Sequence, residues 1–212
     1  MAALLTHLHP DHADPVALKD ALAPGAPVFR PRAAVGGESD LALTAYAEAA
    51  FARTTLNVHV VDAWTERTVG PFALATAPAV DGFGDLQHSW IIECAGRRII
   101  HAGDTLFHGD WWRIARRYGP FDLAFLPINA PRVDFPVLQP PSGIDAVMSP
   151  EEAVAAARIL GARAVIPIHY GALHRPPVYV ETADAVARLL AAGASHGMVI
   201  SVREPGEWFQ LD

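Results

Sequence analysis

Thr6-His7-Leu8-His9-Pro10-Asp11-His12 constrains this chain more than any other stretch. Four side chains able to bind a metal fall within six residues, and three of the chain's ten histidines are among them. The apolar run over residues 3–8 reads as a short buried strand. Side chains two apart on a strand point the same way, so His7 and His9 are set to grip one cation together. Pro10 fixes its own backbone and turns the chain, which delivers Asp11 and His12 close by. Imidazole and carboxylate are ligands that divalent transition metals accept, so the segment points to a metal centre and not to a loop of solvated polar residues.

Composition narrows what surrounds that centre. The 212 residues fit one domain, here taken as residues 1–212, and 51% hydrophobic with 18% charged residues is a globular balance. A net charge of -7 gives no electrostatic footprint for nucleic acid. Cys94 is the single cysteine, which excludes an internal disulfide and a thiolate metal cluster, so any metal is held by histidine and carboxylate. No apolar stretch approaches membrane-spanning length, and the start lacks the pattern of a signal peptide. The expectation is a cytoplasmic protein without stable membrane insertion.

Strands are expected over residues 56–63, 71–77, 89–94 and 98–102, with a hairpin at Gly96. The pattern predicts helices over 14–22, 39–53, 111–118, 149–161 and 182–192. In the second, Leu41, Leu43, Tyr46, Ala50 and Phe51 are available for an apolar face. The fourth carries Ser149, Pro150 and Glu152 at its start and Gly161 at its end, a capping box followed by a glycine stop. Buried strands are expected at 123–128, 164–168 and 198–202, and the Pro-rich stretch 129–149 reads as a long loop. Strands alternating with helices imply an α/β layered domain.

Two further ligand candidates end apolar strands. Asp104 follows residues 98–102 across Gly103, which permits a sharp turn, and His169 follows 164–168. Ligands at strand ends on one edge of a sheet assemble a site from distant sequence. The remaining histidines carry less: His59 reads as structural, His101 as packing and His196 as exposed, while His108 and His174, just after ligand-bearing turns, could orient a substrate or donate a proton but read first as residues without that role. Asp62, Asp81 and Asp85 read as solvated or turn residues, and Arg132 as an exposed loop arginine.

The first segment resembles the His-x-His-x-Asp-His signature of the metallo-β-lactamase superfamily. Gln87-His88-Ser89-Trp90 resembles that family's next metal histidine, His101-Ala102-Gly103-Asp104-Thr105 its Gly-Asp-Thr turn, and Ile166-Pro167-Ile168-His169-Tyr170-Gly171 its late histidine. Within the superfamily the closest resemblance is to the branch of L-ascorbate 6-phosphate lactonase and N-acyl-phosphatidylethanolamine phospholipase D. The resemblance implies an α/β fold (α+β in some schemes), the four-layer αββα sandwich, here expected without its first N-terminal strands because the motif starts close to Met1. An unpaired sheet edge would then favour a homo-oligomer. It implies His7, His9 and His88 on a first metal, Asp11, His12 and His169 on a second, and Asp104 bridging both. Two divalent ions are implied, zinc by default and manganese as the other candidate. A water activated between them would hydrolyse a small ester, lactone or phosphodiester, with Asp11 orienting it. The competing expectation is a catalytically silent metal-binding remnant that serves as an interaction module.

Overall fold

The computed structural model of the chain describes residues 1–33, 38–136 and 138–211. Three short strands, β1 (Ala3–Leu4), β2 (Pro27–Arg30) and β3 (Asn57–Val60), form a parallel sheet in that order. A seven-stranded sheet collects β4 (Glu66–Val69), β5 (Phe72–Val80), β6 (Leu86–Cys94), β7 (Arg97–His101), β8 (Leu123–Pro127), β10 (Ala164–Ile168) and β12 (Val199–Ile200). Its order is β12-β10-β8-β7-β6-β5-β4, antiparallel from β4 to β7 and parallel from β7 to β12.

The alternation of side chains along each strand builds the layers. In β2, Val28 packs with Leu5, Leu8, Ala47 and Phe51 beneath α1 (Pro15–Ala21) and α2 (Glu38–Phe51), whereas Phe29 faces the other sheet. In β5 and β6, Leu74 and Trp90 meet Phe29 and Val61 between the sheets. Their neighbours Ala75 and Ile91 join the opposite cluster, with Trp111, Ile114, Leu160 and Leu189. Those last four belong to α3 (Trp111–Tyr118), α4 (Pro150–Leu160) and α5 (Ala185–Ser195), which cover the large sheet. The result is helix, sheet, sheet, helix, the expected αββα sandwich. Full burial of each large apolar side chain contributes about 1.5–3 kcal/mol.

The capping box of α4 is present. Ser149 Oγ accepts from Glu152 N at 3.3 Å, Glu152 Oε2 accepts from Ser149 N at 2.8 Å, and Gly161 closes the helix at φ +64°. Three expectations need correction. The first strand ends at Leu4, because after the Leu5 N–H, which still donates to Phe29 O, the chain leaves the sheet to cross between the layers: Leu5 O accepts from the Trp90 indole at 2.8 Å and Thr6 O from His88 N at 2.8 Å. In α2, Thr44, Ala47 and Phe51 form the buried face, which leaves Tyr46 69% exposed; the side chains of Leu41 and Leu43 lie outside the described residues. The stretch 129–149 is not all loop, since β9 (Arg132–Val133) pairs antiparallel with β11 (Tyr179–Val180). Among the described residues, no helix is long and apolar enough to cross a membrane.

Candidate metal centre

The turn after the crossing segment is closed by His9 O, which accepts from His12 N and Ala13 N at 2.9 Å each. Asp14 then caps α1, accepting from Val16 N and Ala17 N. This packs three imidazoles together, with ring centroids 4.4 Å apart for His7 and His9 and 4.1 Å apart for His7 and His12.

Asp104 is delivered by the turn that follows β7 of the large sheet. Gly103 precedes it at φ +71°, and a Cβ there would stand 3.0 Å from Thr6 Cβ, so both the turn and the close approach require glycine. Asp104 Oδ2 lies 2.9 Å from His12 Nε2 and 3.0 Å from His169 Nε2, with His7 Nε2 at 3.7 Å. His169 follows the last residue of β10 with φ +53°, a left-handed backbone unusual for a side-chain-bearing residue. Its Nδ1 meets Asn129 Oδ1 at 2.8 Å.

These residues form two groups whose ligand atoms converge. One is Asp11, His12, Asp104 and His169; the other is His7, His9 and Asp81. Six of the seven residues expected from sequence are therefore brought together. The seventh, His88, is not: its Nε2 lies 3.0 Å from Val61 O, in the interface between the sheets. Asp81 stands beside His7 and His9 instead. It is buried, not solvated, and its Oδ2 accepts from Phe83 N at 2.7 Å. Thr105, the residue after Asp104, accepts from Val80 N and bridges to Asp81, which ties this carboxylate to the Gly103-Asp104 turn. Gly82 is forced by packing, since a Cβ would fall 2.1 Å from Ala146 O. Asp85 is buried as well, and its Oδ2 lies 2.8 Å from His9 Nε2. That leaves His9 Nδ1 as the nitrogen free for a cation.

Burial, reinforced by the neighbouring histidines, holds the His7 pKa well below its ordinary value, so the ring is neutral and able to ligate. Burial opposes charge on Asp104, but the hydrogen bonds and charges of His12 and His169 outweigh it and keep the carboxyl ionised, far below the usual carboxylate range. Burial pushes Asp81 up. His101, stacked on Phe125, is pushed by burial down to about 4, as suits a packing residue. His7 Nε2 and Asp104 Oδ1 are buried and have no hydrogen-bond partner among the described residues. A cation between these donors would satisfy both, so the residues fit a metal.

Sequence reading also missed the groups behind His169. Asn129 Nδ2 donates to Tyr179 Oη at 3.0 Å and to Glu181 Oε1 at 3.1 Å, and Glu181 accepts from Gly171 N at 3.2 Å. Burial pushes the Tyr179 phenol up to about 12. Asp81 could have been found as a carboxylate closing an apolar strand before Gly82-Phe83-Gly84. Tyr179 and Asn129 carry no such signal, since their meeting depends on the β9–β11 pairing. A cavity of about 370 Å³ opens over the centre, reaching Asp81, Asp104, His169, Phe83, Phe135 and Tyr179.

A sequence profile of the beta-lactamase superfamily domain matches residues 1–170. A UPF0173 metal-dependent hydrolase of Rubrobacter xylanophilus is 38% identical over 126 residues, covering 59% of this chain and 44% of that protein. The chain spans about half the length of the curated relatives it matches. Among solved structures, Igni18, a metallo hydrolase of Ignicoccus hospitalis, superposes with a TM-score of 0.67 at 22% identity, over 96% of this chain and 76% of that one. CmlA, a diiron beta-hydroxylase of Streptomyces venezuelae, superposes with a TM-score of 0.68 at 16% identity, over 95% of this chain and 43% of that one. Identities this low speak for the fold alone.

Proposed function

This chain belongs to the beta-lactamase superfamily, and from that premise we propose that it is a metal-dependent hydrolase with a binuclear centre, residues 1–212 forming one catalytic domain. The observation that carries the reading is the pair of buried, unpartnered ligand atoms, His7 Nε2 and Asp104 Oδ1, between two converging ligand groups. His7, His9 and Asp81 would hold one divalent ion, Asp11, His12 and His169 the other, with Asp104 between them. Zinc suits the histidine-rich donor set, and the carboxylates leave manganese or iron open. Bound there, two such ions supply a water acidified toward neutrality and polarise a substrate oxygen.

The protein's own groups do the rest. Asp11, 69% exposed at the mouth, orients the attacking water. Asn129 accepts from His169 Nδ1, which fixes the tautomer that presents Nε2 toward Asp104. The substrate is a small ester, lactone or phosphodiester. The resemblance of the motifs to the L-ascorbate 6-phosphate lactonase branch supports this substrate class, and the Rubrobacter relative, a metal-dependent hydrolase, supports the reaction type alone.

Metal content by mass spectrometry on wild type and Asp104→Ala tests the proposal. About two ions per chain in the wild type, with clear loss in the variant, are expected. No metal after zinc, manganese or iron is supplied would sink the proposal, and metal without any hydrolysis would favour a silent metal-binding module.

A further inference from the structure

The wall of the cavity discriminates between the substrate classes left open above. An aromatic band runs from one ligand group to the other: His9 and Phe83 have ring centroids 5.8 Å apart, Phe83 and Phe135 5.6 Å, and Phe135 and Tyr179 6.4 Å. Leu173 and Val147 extend the apolar lining. Among the described residues, no lysine or arginine lines the cavity. Arg132, the loop cation of this region, is 69% exposed and turned to Asp145. The carboxylates facing the space are Asp11, Asp81, Asp104 and Glu181. Two divalent cations would neutralise those four charges and leave no positive surplus for an anion. A phosphodiester would bring a charge that no side chain of the wall meets, against an apolar surface suited to an uncharged group.

The hydrogen bonds behind His169 add a donor. His169 Nδ1 carries its hydrogen to Asn129 Oδ1, which sets the Asn129 amide with its nitrogen toward Tyr179 Oη. Tyr179 Oη accepts there, so its own hydrogen is directed elsewhere, and the ring lines the cavity. A phenol held this way offers a fixed O–H to a substrate oxygen.

We propose that the cavity takes an uncharged carboxylic ester or lactone with a compact apolar acyl group, seated on Phe83 and Phe135, and that the Tyr179 hydroxyl donates a hydrogen bond to one of its oxygens. The inference rests on the hydrolase reading. In the step, the water oxygen bonds to the acyl carbon and the acyl C–O bond breaks. One water proton ends on the leaving alcohol and the other on the carboxylic acid, which releases it to solvent.

Matched substrates isolate the charge: p-nitrophenyl butyrate and mono-p-nitrophenyl succinate share a leaving group and acyl length, and bis-p-nitrophenyl phosphate represents the diesters. With the zinc-loaded protein, kcat/KM is expected to be at least about tenfold higher for the butyrate than for the succinate. Tyr179→Phe is expected to lower the butyrate value about tenfold at unchanged metal content and circular dichroism. Equal or faster turnover of the succinate, or turnover of the phosphate alone, would overturn the substrate class and leave the hydrolase reading standing. Absence of turnover on all three with metal bound would count against the hydrolase reading. The cavity is then decided by titrating butyranilide, an uncharged ligand, into the protein as purified and following it by NMR. Binding weakened several-fold by Tyr179→Phe and by Phe135→Ser upholds the inference, and no binding, or binding indifferent to both changes, overturns it.

Discussion

Asp81 and His88 stand near the same end of the β5–β6 pair, where Pro78 faces His88, yet only Asp81 reaches the histidines. Parity explains the difference. His88 shares its face of β6 with Trp90 and Ile92, so its ring is carried into the layer between the sheets and settles on Val61 O. Asp81 lies just past the end of β5, where the Gly82 turn and Thr105 aim it at His7 and His9. Metal content should therefore fall to about one ion per chain in Asp81→Ala and stay near the wild-type value in His88→Ala. Mass spectrometry on both variants decides, and the reverse pattern would refute the geometric grouping. The sequence announced the candidate ligands that come as a cluster, and Asp104 and His169, which follow apolar strands and sit in motifs resembling the family's. Asp81 carries only the weak signal of a lone carboxylate closing an alanine-rich strand; it has no spacing partner in sequence, and its meeting with His7 and His9 is tertiary.

At the scale of elements, α4 was fully legible because its start and stop are local chemistry, Ser149 with Glu152 and Gly161. The crossing segment after β1 was not, since only Leu5 N still pairs with β2, at Phe29 O, while Leu5 O and Thr6 O are taken by residues of β6. A single carboxylate, Asp122, joins three parts of the large sheet. It accepts from Arg98 N of β7 at 2.8 Å and pairs with Arg97, also of β7, and with Arg163 just before β10. The Arg98 N–H, then the Arg97 and Arg163 charges, hold its pKa below the ordinary carboxylate value. A depressed folded pKa gives stability that is present above the unfolded value, near 3.9, and is lost as pH falls through the lower folded value. Thermal melts should show Asp122→Asn less stable by about 2 °C at neutral pH, with the gap to wild type closing below about pH 4. A gap that persists unchanged to pH 2 would show that the charge contributes nothing.

Over the whole molecule, two sheets of unequal width are clamped face to face, and the candidate ligands come from both layers: His7, His9 and His12 from the chain leaving the small sheet, Asp81, Asp104 and His169 from the large one. A cation that binds only when these meet binds the folded state alone, so it adds to folding stability. Saturating zinc should raise Tm by roughly 5–10 °C over chelator-treated protein, with the increment growing with zinc concentration. A melt indifferent to zinc and to chelator would contradict that coupling. Besides the Phe29, Val61, Leu74 and Trp90 packing and the His88 Nε2 contact with Val61 O, the clamp includes Leu5 O and Thr6 O, main-chain acceptors for the Trp90 indole and His88 N. Main-chain oxygens are supplied by every residue type, so positions 5 and 6 are free to drift in sequence as far as these two bonds are concerned. The inheritance constraint falls on the donors: Trp90 must remain an indole for one of them, and position 88 accepts any residue except proline for the other.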